Sequence, residues 1–158
     1  MKGNDTVIEL LNELLTNELT AINQYFIHAK MCENWGFGRL ANTVRAESID
    51  EMRHADQVIS RILFLDGVPN LQRLGKLHIG ETVLEQLKSD LEFEKVAIKF
   101  LNDSIEKVRT LGDHGTFELM TAILVGEEQH ADWLEAQLDL IGQVGIENYL
   151  AQQINPAG

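Results

Sequence analysis

The chain has a single cysteine, Cys32, in 158 residues. It cannot close an internal disulfide, and a four-cysteine iron or zinc site is excluded. Prolines number only 2, so long stretches run without a breaker, which favours helix. Positive charge is scarce: 13 Lys and Arg stand against 25 Asp and Glu, for a net charge of −12. Nucleic acid is a poor partner for such a chain, because phosphate recognition needs clustered cations. Acidity suits a protein that handles cations. No apolar run approaches the roughly 18 residues of a membrane span. The N-terminal MKGNDTVIELLNELL meets polar and acidic residues within five positions and offers no signal-peptide core. The expectation is a cytoplasmic protein with no membrane partner, folded as one domain over residues 1–158.

What is present is helical periodicity. Val7, Ile8, Leu11, Leu14, Leu15, Ala21, Ile22, Tyr25 and Phe26 mark a first helix over about 5–35, ended by Gly36 and Gly38. A second runs over about 39–65 and stops at Asp66-Gly67. Residues 66–81 keep no period and read as a long connection. Thr82 and Glu85 resemble a capping box opening a third helix, about 83–111. A turn at Gly112-Asp113-His114-Gly115 leads to a fourth, about 116–144, and IENYLAQQI forms a short fifth before Asn155-Pro156. Connections that run short, long, short make each short-linked pair antiparallel and leave helices two and three parallel. That is a ferritin-like four-helix bundle, all-α, with a long crossover between helices two and three.

Six residues fall into two triplets on one ruler: Glu18, Glu51 and His54, then Glu94, Glu127 and His130. Glutamate to glutamate is 33 residues in both (51 − 18 and 127 − 94), and each member of the second triplet follows its counterpart by 76 (94 − 18). The flanks echo as well, Glu18-Leu-Thr-Ala-Ile22 against Glu94-Lys-Val-Ala-Ile98. Each glutamate sits within an apolar stripe, so helix geometry turns all four carboxylates into the bundle. A buried carboxylate costs several kcal/mol unless it is neutralised, about the price of losing a core side chain. Two divalent cations would cancel four glutamates, and two neutral histidines would complete their ligands. Carboxylate with imidazole suits iron, manganese or zinc.

The repeat also breaks. Asp50, a candidate to orient a histidine ring of the opposite helix, has Gly126 as its counterpart, where a missing side chain makes room. Tyr25 lies two turns after Glu18 on its face, either packing in the core or acting as a redox-active neighbour of the metals. Met52 has Glu128 as its counterpart and points about 130° away from the Glu51–His54 direction. Ile49, Ile59 and Leu63 share its side. A second apolar face turned out of the bundle calls for a partner subunit. Met52 there either packs or, across a two-fold axis, joins its own copy in holding a haem iron between two thioethers.

The stretches MKGNDTVIELLNELLTNELTAINQYF, ESIDEMRHADQVISRILFLDGVPNLQRLGKL, GEEQHADWLEAQLDLI and GIENYL resemble the bacterioferritins over essentially the whole chain. The resemblance implies a hollow shell of twenty-four subunits with a haem b shared between two subunits. It implies a ferroxidase centre in which Glu18, Glu51, His54, Glu94, Glu127 and His130 bind two iron ions, Glu51 and Glu127 bridging. Ferrous iron, dioxygen or peroxide, and a small ferredoxin for iron release are the implied partners. Some members hold a further iron on the inner surface through a histidine and an aspartate. Here Asp50 is present, but Ala46 replaces the histidine, with Glu47 the candidate stand-in. Asp66, Asp132 and Asp139 are candidates for an iron-entry pore. The competing reading is a di-iron or di-manganese peroxide-scavenging enzyme on the same bundle.

Overall fold

A computed structural model describes residues 1–154, so the Asn155-Pro156 stop lies outside the described residues. Five helices follow one another: α1 Asp5–Asn34, α2 Gly38–Phe64, α3 Val83–Thr110, α4 His114–Val144 and α5 Ile146–Ala151. Local chemistry sets their ends. Asn4 caps α1, its side chain accepting from the backbone of Thr6 and Val7. Gly36, at φ +88°, supplies the left-handed residue that turns the chain into α2. Thr82 caps α3 as expected, but Glu85 reaches back to the Glu81 N–H, one residue before the cap. The fourth helix starts two residues earlier than its periodicity implied, because Asp113 accepts from the Thr116 N–H and caps it there. No helix among the described residues is long and apolar enough to cross a membrane.

Side-chain contacts fix the helix directions. Gln24 and His28 meet Asp90 while Cys32 meets Gln86, so α1 and α3 run antiparallel. His54 meets Glu127 while Arg61 meets Asp113, so α2 and α4 do too. With α1 and α2 antiparallel across a three-residue link, α2 and α3 are parallel, and the crossover must return along the whole bundle.

That crossover is not loose. Asn12, Thr16, Thr20, Gln24 and His28 recur every four residues on α1, and each bonds the segment lying over it. Asn12 takes the Asn70 N–H and donates to the Val68 carbonyl; Thr16 accepts from Arg73. Thr20, Gln24 and His28 accept the backbone N–H groups of Gly75, His78 and Gly80 at 2.8, 3.1 and 3.0 Å. A row at four-residue spacing is one of the ridges of a helix surface, and the segment follows it. At its far end Gly80 lies against Gln86 so closely that a Cβ would come within 2.4 Å of the Gln86 nitrogen.

The apolar core comes in two parts. One holds Leu11, Leu14, Val58, Ile62, Leu101 and Met120; the other holds Ala29, Leu40, Val44, Leu87, Leu134 and Tyr149. Between them, at mid-bundle, the core gives way to a layer of buried polar groups.

Candidate metal centre

Each helix of the bundle contributes to that layer. Glu18 comes from α1, Glu51 and His54 from α2, Glu94 from α3, and Glu127 and His130 from α4. The four carboxylates and His130 are buried, and His54 is partly exposed. The Glu-x-x-His spacing puts each imidazole one turn beyond its glutamate on the same face. Potential ligand atoms of Glu18, Glu51, His54 and Glu127 lie within 4.8 Å of one another, and so do those of Glu51, Glu94 and His130. Glu51 belongs to both groups. Glu127 belongs only to the first, where its Oε1 lies 3.1 Å from His54 Nδ1.

Both imidazoles turn Nδ1 towards the acids. His54 Nδ1 lies 3.5 Å from Glu18 and 3.4 Å from Glu51. His130 Nδ1 lies 3.0 Å from Glu94. Yet Glu18 Oε2, Glu51 Oε2, His54 Nδ1, Glu94 Oε2 and Glu127 Oε1 are buried with no hydrogen-bond partner. Folded proteins seldom leave such atoms orphaned. Five in one cluster mark a site built for something that binds there.

The electrostatics agree. Burial raises the Glu18 and Glu51 carboxyls, Glu51 well above its usual range, with Glu18 adding to it. Burial, then the neighbouring Glu127, carries Glu94 to about 8; burial carries Glu127 to about 7. Burial pulls the His54 imidazole down, but the surrounding Glu127, Glu18 and Glu51 carboxylates outweigh it and push the ring up to about 12. The cluster thus gathers protons where cations are absent, and divalent ions would displace them.

Tyr25 is fully buried, and its hydroxyl donates to Glu94 Oε1. Burial and then Glu94 hold its phenol well above its usual range, so it stays a donor. Its ring meets His130 edge-on at 5.1 Å between centroids. Asp50 departs from expectation: it bonds the exposed Arg53 at 2.6 Å rather than steadying a histidine across the bundle. The second acid near His130 is Glu47, at 3.6 Å, raised to about 7 by burial and then Asp50. It is the residue named from the sequence as the stand-in for the histidine that Ala46 replaces. Trp133, three residues after His130, stacks on that ring and has no counterpart among the residues singled out from the sequence. At Gly126 an added Cβ would meet the His54 ring at 3.5 Å, ordinary contact, so the glycine borders the ring without being sterically required. A pocket of about 440 Å³ between α2 and α4 reaches the cluster past Glu47, Asp50, His54 and His130.

Comparison with known proteins decides among the bundles that could carry such a layer. The profile of the ferritin-like domain matches residues 8–144. The chain is 50% identical over 155 residues to the bacterioferritin of Mycobacterium leprae, covering 98% of each. It is 50% identical to that of Streptomyces coelicolor over 98% of this chain and 92% of the other. The Brucella melitensis protein shares 46% identity over 99% of this chain and 96% of its own. This chain belongs to the bacterioferritin family.

For a bacterioferritin, the outer face of α2 is the other feature of interest. Met52 is 56% exposed, and Ile49 and Leu63 on its side are 43% and 57% exposed. Arg45, on the same row, lies over the Phe26 ring of α1 at 5.8 Å. The three aspartates considered for a pore are all exposed, and Asp66 pairs with the N-terminal amine at 3.3 Å.

Proposed function

We propose that the protein is an iron-storage ferroxidase. It binds two ferrous ions per subunit through Glu18, Glu51, His54, Glu94, Glu127 and His130, and deposits ferric mineral inside a shell of twenty-four subunits. The observation that carries this reading is the set of five buried, unpartnered ligand atoms converging at mid-bundle. Four glutamates balance the charge of two divalent ions, and two imidazoles supply neutral donors. Each ion gives up one electron, and the pair reduces dioxygen to peroxide, or peroxide to water, with protons drawn from solvent. Binding strips the carboxyls of the protons they hold. Tyr25 occupies Glu94 Oε1 and leaves Oε2 to the iron, which makes the phenol part of the working site.

The exposed Met52 face would take a haem b shared by two subunits, Met52 of each subunit being the residue that would hold its iron. Arg45 and Arg53 on the same helix offer cations for its propionates. Bound there, the haem supplies a path for electrons from a small ferredoxin to the mineral, for iron release in the cytoplasm.

Aerobic addition of ferrous iron to the assembled protein tests the centre. The parent should oxidise two equivalents per subunit in a fast phase. Glu18→Ala with Glu127→Ala should slow that phase by roughly a hundredfold or more. Oxidation at the parent rate would refute the assignment. Met52→Leu should keep the assembly's mass and lose its haem absorbance; retained haem would remove Met52 from the role.

A further inference from the structure

One buried ionisable pair has no part in the reaction above. Asp90 on α3 and His28 on α1 lie 2.9 Å apart, and both are almost fully enclosed. Their neighbours set the protonation pattern. The Gly80 N–H donates to His28 Nε2, so that nitrogen accepts, and Nδ1 carries the proton donated to Asp90. The same Asp90 oxygen accepts from Gln24 Nε2 at 2.8 Å. Two donors one turn apart on α1 thus converge on a single carboxylate of α3.

The next turn of α3 carries Glu94, and Tyr25 lies between Gln24 and His28 on α1. Which Glu94 oxygen Tyr25 takes, and which is left free, depends on the register of α1 against α3. Near the centre, the other polar bonds between these two helices are those of Asp90. We propose that Asp90 is a positioning residue: clamped by Gln24 and His28, it holds Tyr25 against Glu94 so that Glu94 Oε2 faces the metal site. The clamp reaches outward, because Gln24 and His28 also anchor His78 and Gly80 of the crossover. It serves one half of the centre only. The position 76 residues before Asp90 is Leu14, so the His54 half has no equivalent.

The inference rests on the two-metal reading, and Co²⁺ titration of the assembled protein tests the two separately. If the parent binds fewer than two Co²⁺ per subunit, the two-metal reading fails. Given two, Asp90→Ala should leave one equivalent at parental affinity and weaken the other by roughly tenfold or more. Asp90→Asn keeps an acceptor oxygen in place and should restore most of that loss. Asn12→Ala cuts two crossover bonds far from Glu94 and should leave both equivalents tight. Two equally tight equivalents in Asp90→Ala would overturn the proposal. So would equal weakening of both, or the same loss in Asn12→Ala, since these report general loosening of the bundle.

Discussion

Helix α1 carries two kinds of buried polar group that behave in opposite ways. Thr20, Gln24 and His28 are as deeply buried as Glu18. Each of the three finds a partner in the crossover, and Gln24 and His28 find a second in Asp90. Glu18 keeps an oxygen with none. A satisfied buried network rigidifies and specifies a fold. An unsatisfied one stores an unpaid desolvation cost that only a ligand removes. The contrast separates the residues that hold this bundle together from those that give it work. Polarity and burial alone would not have done so.

The largest effect that can break this contrast is the response to pH. Glu94 and Glu127, ordinarily near 4.5, sit at about 8 and about 7 in the folded protein. The folded state therefore binds more protons than the unfolded chain across that interval. Their contribution to stability is whole below pH 4.5 and is lost as pH rises through 7 and 8. His54, raised from 6.5 to about 12, acts in the same direction. The metal-free protein should melt at progressively lower temperature from pH 5 to pH 8. Co²⁺ should do the reverse, because it binds the deprotonated ligands. Its stabilisation should grow over the same range, reaching about 2.7 kcal/mol at a hundredfold excess over its Kd. A metal-free melting temperature that climbs steadily from pH 5 to pH 8 would show the cluster to be a satisfied network after all.

A smaller effect isolates one carboxylate. Glu51 belongs to both ligand groups, and burial followed by Glu18 raises it well above its usual range. Glu51→Gln keeps the shape and removes the charge. Above the pH at which the Glu51 carboxyl ionises, the metal-free variant should be more stable than the parent, as when an uncompensated buried charge is neutralised, and below it the two should melt alike. The variant should also lose most of the stabilisation by Co²⁺. Loss of stability without metal would mean that Glu51 is a structural acid.

Much of this contrast was legible in the sequence, though unevenly. The six ligand candidates could be found because period and spacing are properties of single helices, and four helices each reported their own inward face. Met52 announced itself as an apolar residue on the wrong side of α2, and the structure leaves it exposed. Residues 66–81 show no period of their own, since the order of the crossover is not encoded in them. It is encoded in the four-residue row on α1, whose members look like unremarkable helix polar residues until their partners are known. Asp50 failed for a related reason. Helix geometry placed it near the site, but Arg53, three residues on, captured it at the surface. Local competition between side chains is invisible to spacing arguments.

The smallest effect tests the satisfied side of the contrast. The Thr20 hydroxyl donates to the Thr16 carbonyl at 2.6 Å and accepts from the Gly75 N–H at 2.8 Å. Thr20→Val preserves the volume and leaves the Gly75 N–H without its acceptor. Unfolding should become easier by about 1–2 kcal/mol, the usual cost of stranding one such donor. Hydrogen exchange of residues 73–78 should quicken, because a rung of the ladder is gone while the bundle core is intact. The fast phase of iron oxidation should keep its rate and its two equivalents, since no ligand atom has moved. A variant as stable as the parent would mean the crossover rests on α1 by shape alone. One that lost an equivalent of iron would mean that the Thr20 rung, and not only Gln24 and His28 through Asp90, bears on the metal centre.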